Sequence, residues 1–67
     1  MNTGQKIKQY CEAQKMTISA FSKMCGITEM SIHVWSRGKT EPSIKCLRKI
    51  AAATGTDVSY WIGEVAA

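Results

Sequence analysis

The sequence is poor in what a catalytic or metal-binding centre is made of. It has one histidine, one proline and five acidic residues among 67. The acids are scattered over caps and loops, so no paired carboxylates stand ready for acid–base work. No Ser-His-Asp set and no Cys-His pair with an orienting group is present, and the chain is not expected to be an enzyme. Its three cysteines, Cys11, Cys25 and Cys46, are odd in number and form no C-x-x-C pair. Neither a disulfide framework nor a zinc site is therefore expected. Free, mostly buried thiols in a reducing cytoplasm are the plain expectation, with no cofactor and no metal. No apolar run reaches the length of a membrane span. No apolar segment follows Met1-Asn2-Thr3-Gly4, so no signal peptide is expected either. Strands are also missing: period-two alternation is nowhere sustained, and no Asn-Gly hairpin turn occurs.

What the sequence does have is positive charge. Nine Lys and Arg stand against five Asp and Glu, a net charge of +4 and a pI near 9.2. A basic balance in a small chain suggests a polyanionic partner, nucleic acid or an anionic membrane surface. Residues 1–67 are expected to form one domain. A domain of this size buries only about 60% of the surface that its unfolded chain exposes. Its working surface should be an outer face, not a deep pocket.

Turn signals cut the chain into five short helical pieces. The first, about 4–14, carries Ile7, Tyr10, Cys11 and Gln14 as one stripe. Thr17 is placed to cap a second helix bearing Ile18, Phe21 and Cys25, and Gly26 to end it. Thr28 caps a third, about 29–36, with Glu29 at the positive end of its dipole and Gly38 as its stop. Arg37 to Pro42 is a polar loop, and Pro42 holds Glu41 extended. Ser43 caps a fourth helix with Ile44, Leu47, Ile50, Ala51 and Thr54 on one face, which Gly55 ends. Asp57 caps a last one, Val58 to Ile62.

The third helix is unusual on its outer side. At about 100° per residue, Ile32, Trp35 and Thr28 cluster on one side, which must face the core because Trp35 is large and apolar. The opposite side holds Met30, His33, Val34 and Arg37. A plain solvated face would be Lys and Glu. This mixture suits base edges in a major groove: thymine offers a methyl group to Met30 or Val34, guanine two acceptors to Arg37 or His33, and cytosine an amine to Glu29. Met30 and Val34 packed on a neighbouring helix as ordinary core is the competing reading, and scattered surface apolar residues are common.

The stretch Thr17 to Gly38, TISAFSKMCGITEMSIHVWSRG, resembles the helix-turn-helix of the lambda-repressor-like (Cro/C1-type) family. That family commonly has Thr opening the second helix, an apolar residue four later, Gly at the turn, a β-branched residue and Ser or Thr. Ile and Trp in the third helix follow, then Gly. Here these are Thr17, Phe21, Gly26, Ile27, Thr28, Ile32, Trp35 and Gly38. Lys39, Pro42, Ser43, Leu47, Ile50, Ala51 and Gly55 are similar to the usual continuation, and Tyr60-Trp61-Ile62 to the closing helix of phage-type repressors and Cro proteins. The chain departs at Ile18, where Gln usually contacts a phosphate. It departs again at Ser22, which replaces Ala where helices two and three approach, and at Ser36, which stands where Glu is common.

The resemblance implies an all-α, compact five-helix DNA-binding domain with its helix-turn-helix at about 17–36. It implies that helix three lies in the major groove of double-stranded DNA, with Thr28, Glu29, Met30, His33 and Val34 reading bases. Thr17, Lys23, Arg37, Lys39, Thr40 and Lys45 would hold phosphates. The expected protein is a Cro-like repressor, cytoplasmic, bound to an inverted-repeat operator as a homodimer, which forms either before or only on DNA. Tyr60, Ile62 and Val65 are the candidate dimer contacts. The alternative is a protein-interaction module on the same fold, an antitoxin or anti-repressor, with Met30 and Val34 in a protein groove.

Overall fold

The computed structural model describes residues 2–62. Among them the chain forms five helices: α1 (Thr3–Ala13), α2 (Ile18–Cys25), α3 (Glu29–Ser36), α4 (Ile44–Thr54) and α5 (Val58–Trp61). Four of the five starts carry a side-chain capping bond. The Thr17, Thr28 and Ser43 hydroxyls accept from the N–H groups of Ala20, Ser31 and Cys46 at 3.0, 3.1 and 3.3 Å. These bonds satisfy donors that a helix leaves unpaired in its first turn. Asp57 stands at the start of α5 as expected, but its side chain makes no capping bond. α1 starts one residue earlier than expected, after a cap at Asn2: Asn2 accepts from Gln5 N–H, and Gln5 accepts from Asn2 N–H, a reciprocal box.

The ends are less uniform. Gly26 and Gly55 close α2 and α4 at φ of 71° and 70°, a region open to glycine because it has no Cβ. The chain after α1 makes the same left-handed turn at Lys15, with φ 55°, which carries a Cβ.

The core gathers Ile7 and Cys11 of α1, Phe21 and Cys25 of α2, Ile32 and Trp35 of α3, Leu47, Ile50 and Ala51 of α4, and Trp61. Trp61 is fully buried. Its ring meets Tyr10 at 5.5 Å and Phe21 at 6.1 Å, and Tyr10 meets Phe21 edge-on at 5.7 Å. The Trp61 indole N–H donates to Thr56 at 2.6 Å, so its one polar atom is paired. The Thr3 hydroxyl donates to the Trp61 carbonyl, which ties the first helix to the last.

Ser22 is buried, and its hydroxyl donates back to the Ser19 carbonyl at 2.8 Å. That bond lets a polar residue stand where the helices come close. Cys11 and Cys25 are free and buried, and Cys46 is half-buried. Burial pushes the Cys11 thiol up. It pushes Cys25 up to about 11, with the nearby Cys11 adding to the effect. A raised thiol pKa stabilises the fold below the ordinary thiol value, and that contribution is lost as pH climbs towards 11.

Three expected core positions differ. Gln14 is exposed beyond the end of α1. Ile44 is 54% exposed although it shares the stripe of Leu47, because it opens α4 and the stripe runs past the edge of the core. Thr28 is exposed and does not join Ile32 and Trp35. As an N-cap its backbone is extended, φ −94° and ψ 151°, so the helical wheel does not apply to it. Among the described residues no helix is long and apolar enough to cross a membrane.

Candidate nucleic-acid interface

The turn between α2 and α3 is short because Gly26 reverses the chain at once. Its N–H and that of Ile27 both donate to the Ser22 carbonyl, the latter at 3.0 Å. Ile27 packs on the core, and Thr28 then opens α3. On the inner side of α3, Ile32 and Trp35 are buried. They seal one side of an eight-residue helix, which is too short to hold itself in water.

On the outer side Glu29, Met30 and His33 are exposed, as is Arg37 at the end of the helix. Met30 is 71% exposed, more than any other large apolar side chain among the described residues. It is not core. Val34 is half-buried and so less open to a partner than Met30. The Thr28 hydroxyl lies 2.9 Å from that of Ser31 and accepts from Ser31 N–H. Its first duty is therefore the cap. Glu29 is the acid of the first turn, where the helix dipole favours negative charge.

The residues expected to hold phosphates are all exposed: Thr17, Lys23, Arg37, Lys39, Thr40 and Lys45. Thr17 accepts from Ala20 N–H, which leaves its own hydroxyl hydrogen for an anion. Lys23 lies on α2 about 160° around from Phe21 and Cys25, its outermost direction. Lys39 and Thr40 follow α3 in the loop, and Lys45 is in the first turn of α4. The N-termini of α2, α3 and α4 all carry hydroxyl caps, and the free N–H groups there suit anions.

At the last helix Tyr60 and Ile62 are exposed. Tyr60 stacks edge-on against Trp61 at 4.9 Å. Lys6 donates to the Tyr60 carbonyl at 2.7 Å and lies 5.0 Å from the ring centre. Val65, the third expected dimer contact, lies outside the described residues.

Two residues beside α3 escaped the sequence reading, Asn2 and Gly4. For Asn2 a signal was available, since Asn-x-x-Gln ahead of Ile7 has the spacing of a capping box. For Gly4 there was none, because its importance lies in a contact with a residue 32 positions away.

Residues 7–61 match the helix-turn-helix family. No curated protein and no solved structure matches the chain. The match runs from the first core residue of α1 to Trp61 and so includes residues of all five helices. The chain belongs to the helix-turn-helix family of the lambda-repressor-like, Cro/C1 type, and is a DNA-binding regulator of transcription.

Proposed function

We propose that the protein is a sequence-reading repressor of the Cro kind, a single domain over residues 1–67, that binds an inverted-repeat operator as a dimer and blocks polymerase. The observation that carries this reading is the outer side of α3. Met30 stands 71% exposed between Glu29 and His33, on a helix whose other side is sealed into the core. An apolar side chain held out in the first turn of such a helix suits a thymine methyl in the major groove.

In this reading Glu29, Met30 and His33 read base edges. Val34 contributes only where DNA presses close, and Thr28 contributes its hydroxyl hydrogen when the Ser31 hydroxyl donates to it. Thr17, Lys23, Arg37, Lys39, Thr40 and Lys45 grip phosphates, a set that gives register but no sequence. One such helix reads few base pairs. Two copies on half-sites about 34 Å apart gain both affinity and specificity, and Tyr60 and Ile62 offer exposed apolar surface for pairing.

The test is selection of binding sites from a random duplex pool at about 150 mM salt. A short inverted repeat with half-sites one turn apart supports the reading. Recovery of no motif sinks it and favours a protein groove as the seat of Met30. A single half-site keeps the reader and removes the dimer.

A further inference from the structure

We propose that Asn2 and Gly4, at the start of α1, are positioning residues that set the angle of the reading helix. The inference rests on the major-groove reading of α3 above. Both residues lie ahead of the stretch that matches the family.

Gly4 touches the end of α3 backbone to backbone. A Cβ added there would lie 2.2 Å from Ser36 N, 2.5 Å from Ser36 Cα and 2.7 Å from Trp35 C. No flexible side chain is available to turn aside, so any larger residue must push the end of α3 away. Gly4 is buried within a helix, and close approach is its reason for being glycine.

Asn2 holds the same point by a bond. Its side-chain oxygen accepts from Gln5 N–H at 2.8 Å. Its side-chain nitrogen donates to the Ser36 carbonyl at 3.1 Å. That carbonyl belongs to the last turn of α3, where helices leave acceptors unpaired. One amide thus caps α1 at its start and α3 at its end. The neighbouring carbonyls have local partners: His33 accepts from Arg37 N–H and the Ser36 hydroxyl, and Trp35 from Gly38 N–H. Only the Ser36 bond reaches to another helix.

The geometry makes this a lever. From Ile32 to Ser36 is about 6 Å of helix, and from Ile32 back to Glu29 about 4.5 Å. A shift of about 1 Å at Ser36 tilts α3 by about 10° about the buried Ile32 and carries Glu29 about 0.7 Å the other way. The hydrogen-bond window is about 0.5 Å wide. A change at the Ser36 end therefore moves Thr28 and Glu29, the readers farthest from Ile32, by more than a base contact tolerates. Of the phosphate-gripping residues, Thr17, Lys23 and Lys45 at α2 and α4 stay in place, while Arg37 follows Ser36 and moves with it.

The test uses Asn2→Ser. Serine caps a helix as well as asparagine does but has no second polar atom for Ser36. Binding of wild type and variant is compared on the selected operator, on operators with one base pair changed opposite α3, and on an unrelated duplex. We expect discrimination among the operators to fall about threefold to tenfold, with a smaller loss on the unrelated duplex. Amide shifts of the free variant should move along α3 from Ser36 to Glu29 and stay fixed in α2 and α4. Gly4→Ala should do the same more strongly, and Asn2→Ser still decides if that variant fails to fold. Equal losses on every duplex, or unchanged discrimination, overturn the inference while leaving the major-groove reading intact. Failure of the wild type to select any site overturns the reading, and this inference with it.

Discussion

α3 and α4 are built from the same parts and used differently. Each begins at a hydroxyl cap and buries one side. The outer side of α4 is Lys45, Arg48 and Lys49, all exposed, the ordinary composition of a solvated helix. The outer side of α3 has a methionine, an imidazole and a carboxylate instead. A helix that only holds the core together can keep lysine outside at little cost, because a solvated ammonium needs no partner. A helix that leaves Met30 in water forgoes that advantage, and in the proposed reading recognition of an apolar group is its use. If α3 reads bases as proposed, what sets it apart from α4 lies in the side that does not fold the protein.

That contrast can be broken at several points. The largest effect is expected inside α4. Ile50→Ala should destabilise the fold by about 2–5 kcal/mol, since Ile50 is fully buried. Chemical denaturation measures it, and the operator preference of the folded fraction should not change. On α3 the effects should invert. Met30→Ala and Glu29→Ala should leave stability within about 0.5 kcal/mol and shift preference at single base pairs by about 1–3 kcal/mol. Equal loss on all sequences would remove these two from the readers.

Charge sharpens the comparison further. Lys39→Ala, next to α3, should weaken binding to every duplex alike and reduce the salt slope by about one. Arg48→Ala, on the outer side of α4, should leave that slope as it is, and a drop there would place α4 against DNA along its length. The smallest effect lies in neither helix. Lys15→Gly should raise stability by about 0.5 kcal/mol, because a left-handed backbone strains a residue with a Cβ while glycine's greater freedom when unfolded offsets part of the gain. Thermal unfolding would register it as a small rise in midpoint.

The helices were readable because their signals are local. Thr17, Thr28 and Ser43 cap where short hydroxyl residues should, and Gly26 and Gly55 end the helices they follow. Ile32 and Trp35 told which side of α3 is inner, and so which is outer. What failed was either conformational or distant. Thr28 left the wheel because a cap is not helical, and Ile44 lay on the right stripe but beyond the core. The turn at Lys15 carries no glycine to announce it. The meaning of Gly4 depends on the backbone of Ser36, which no local pattern contains.

The tie between Thr3 and Trp61 joins residues 58 positions apart. Trp61 is also a central core side chain, enclosed by Tyr10 and Phe21. During synthesis the first four helices leave the ribosome before it, at about 5–20 residues per second. Until Trp61 follows, Tyr10 and Phe21 border an open hollow and the Thr3 hydroxyl has no carbonyl to bond. A nascent chain stalled before Trp61 should therefore remain sensitive to protease, and emergence of Trp61 should complete the fold in one step.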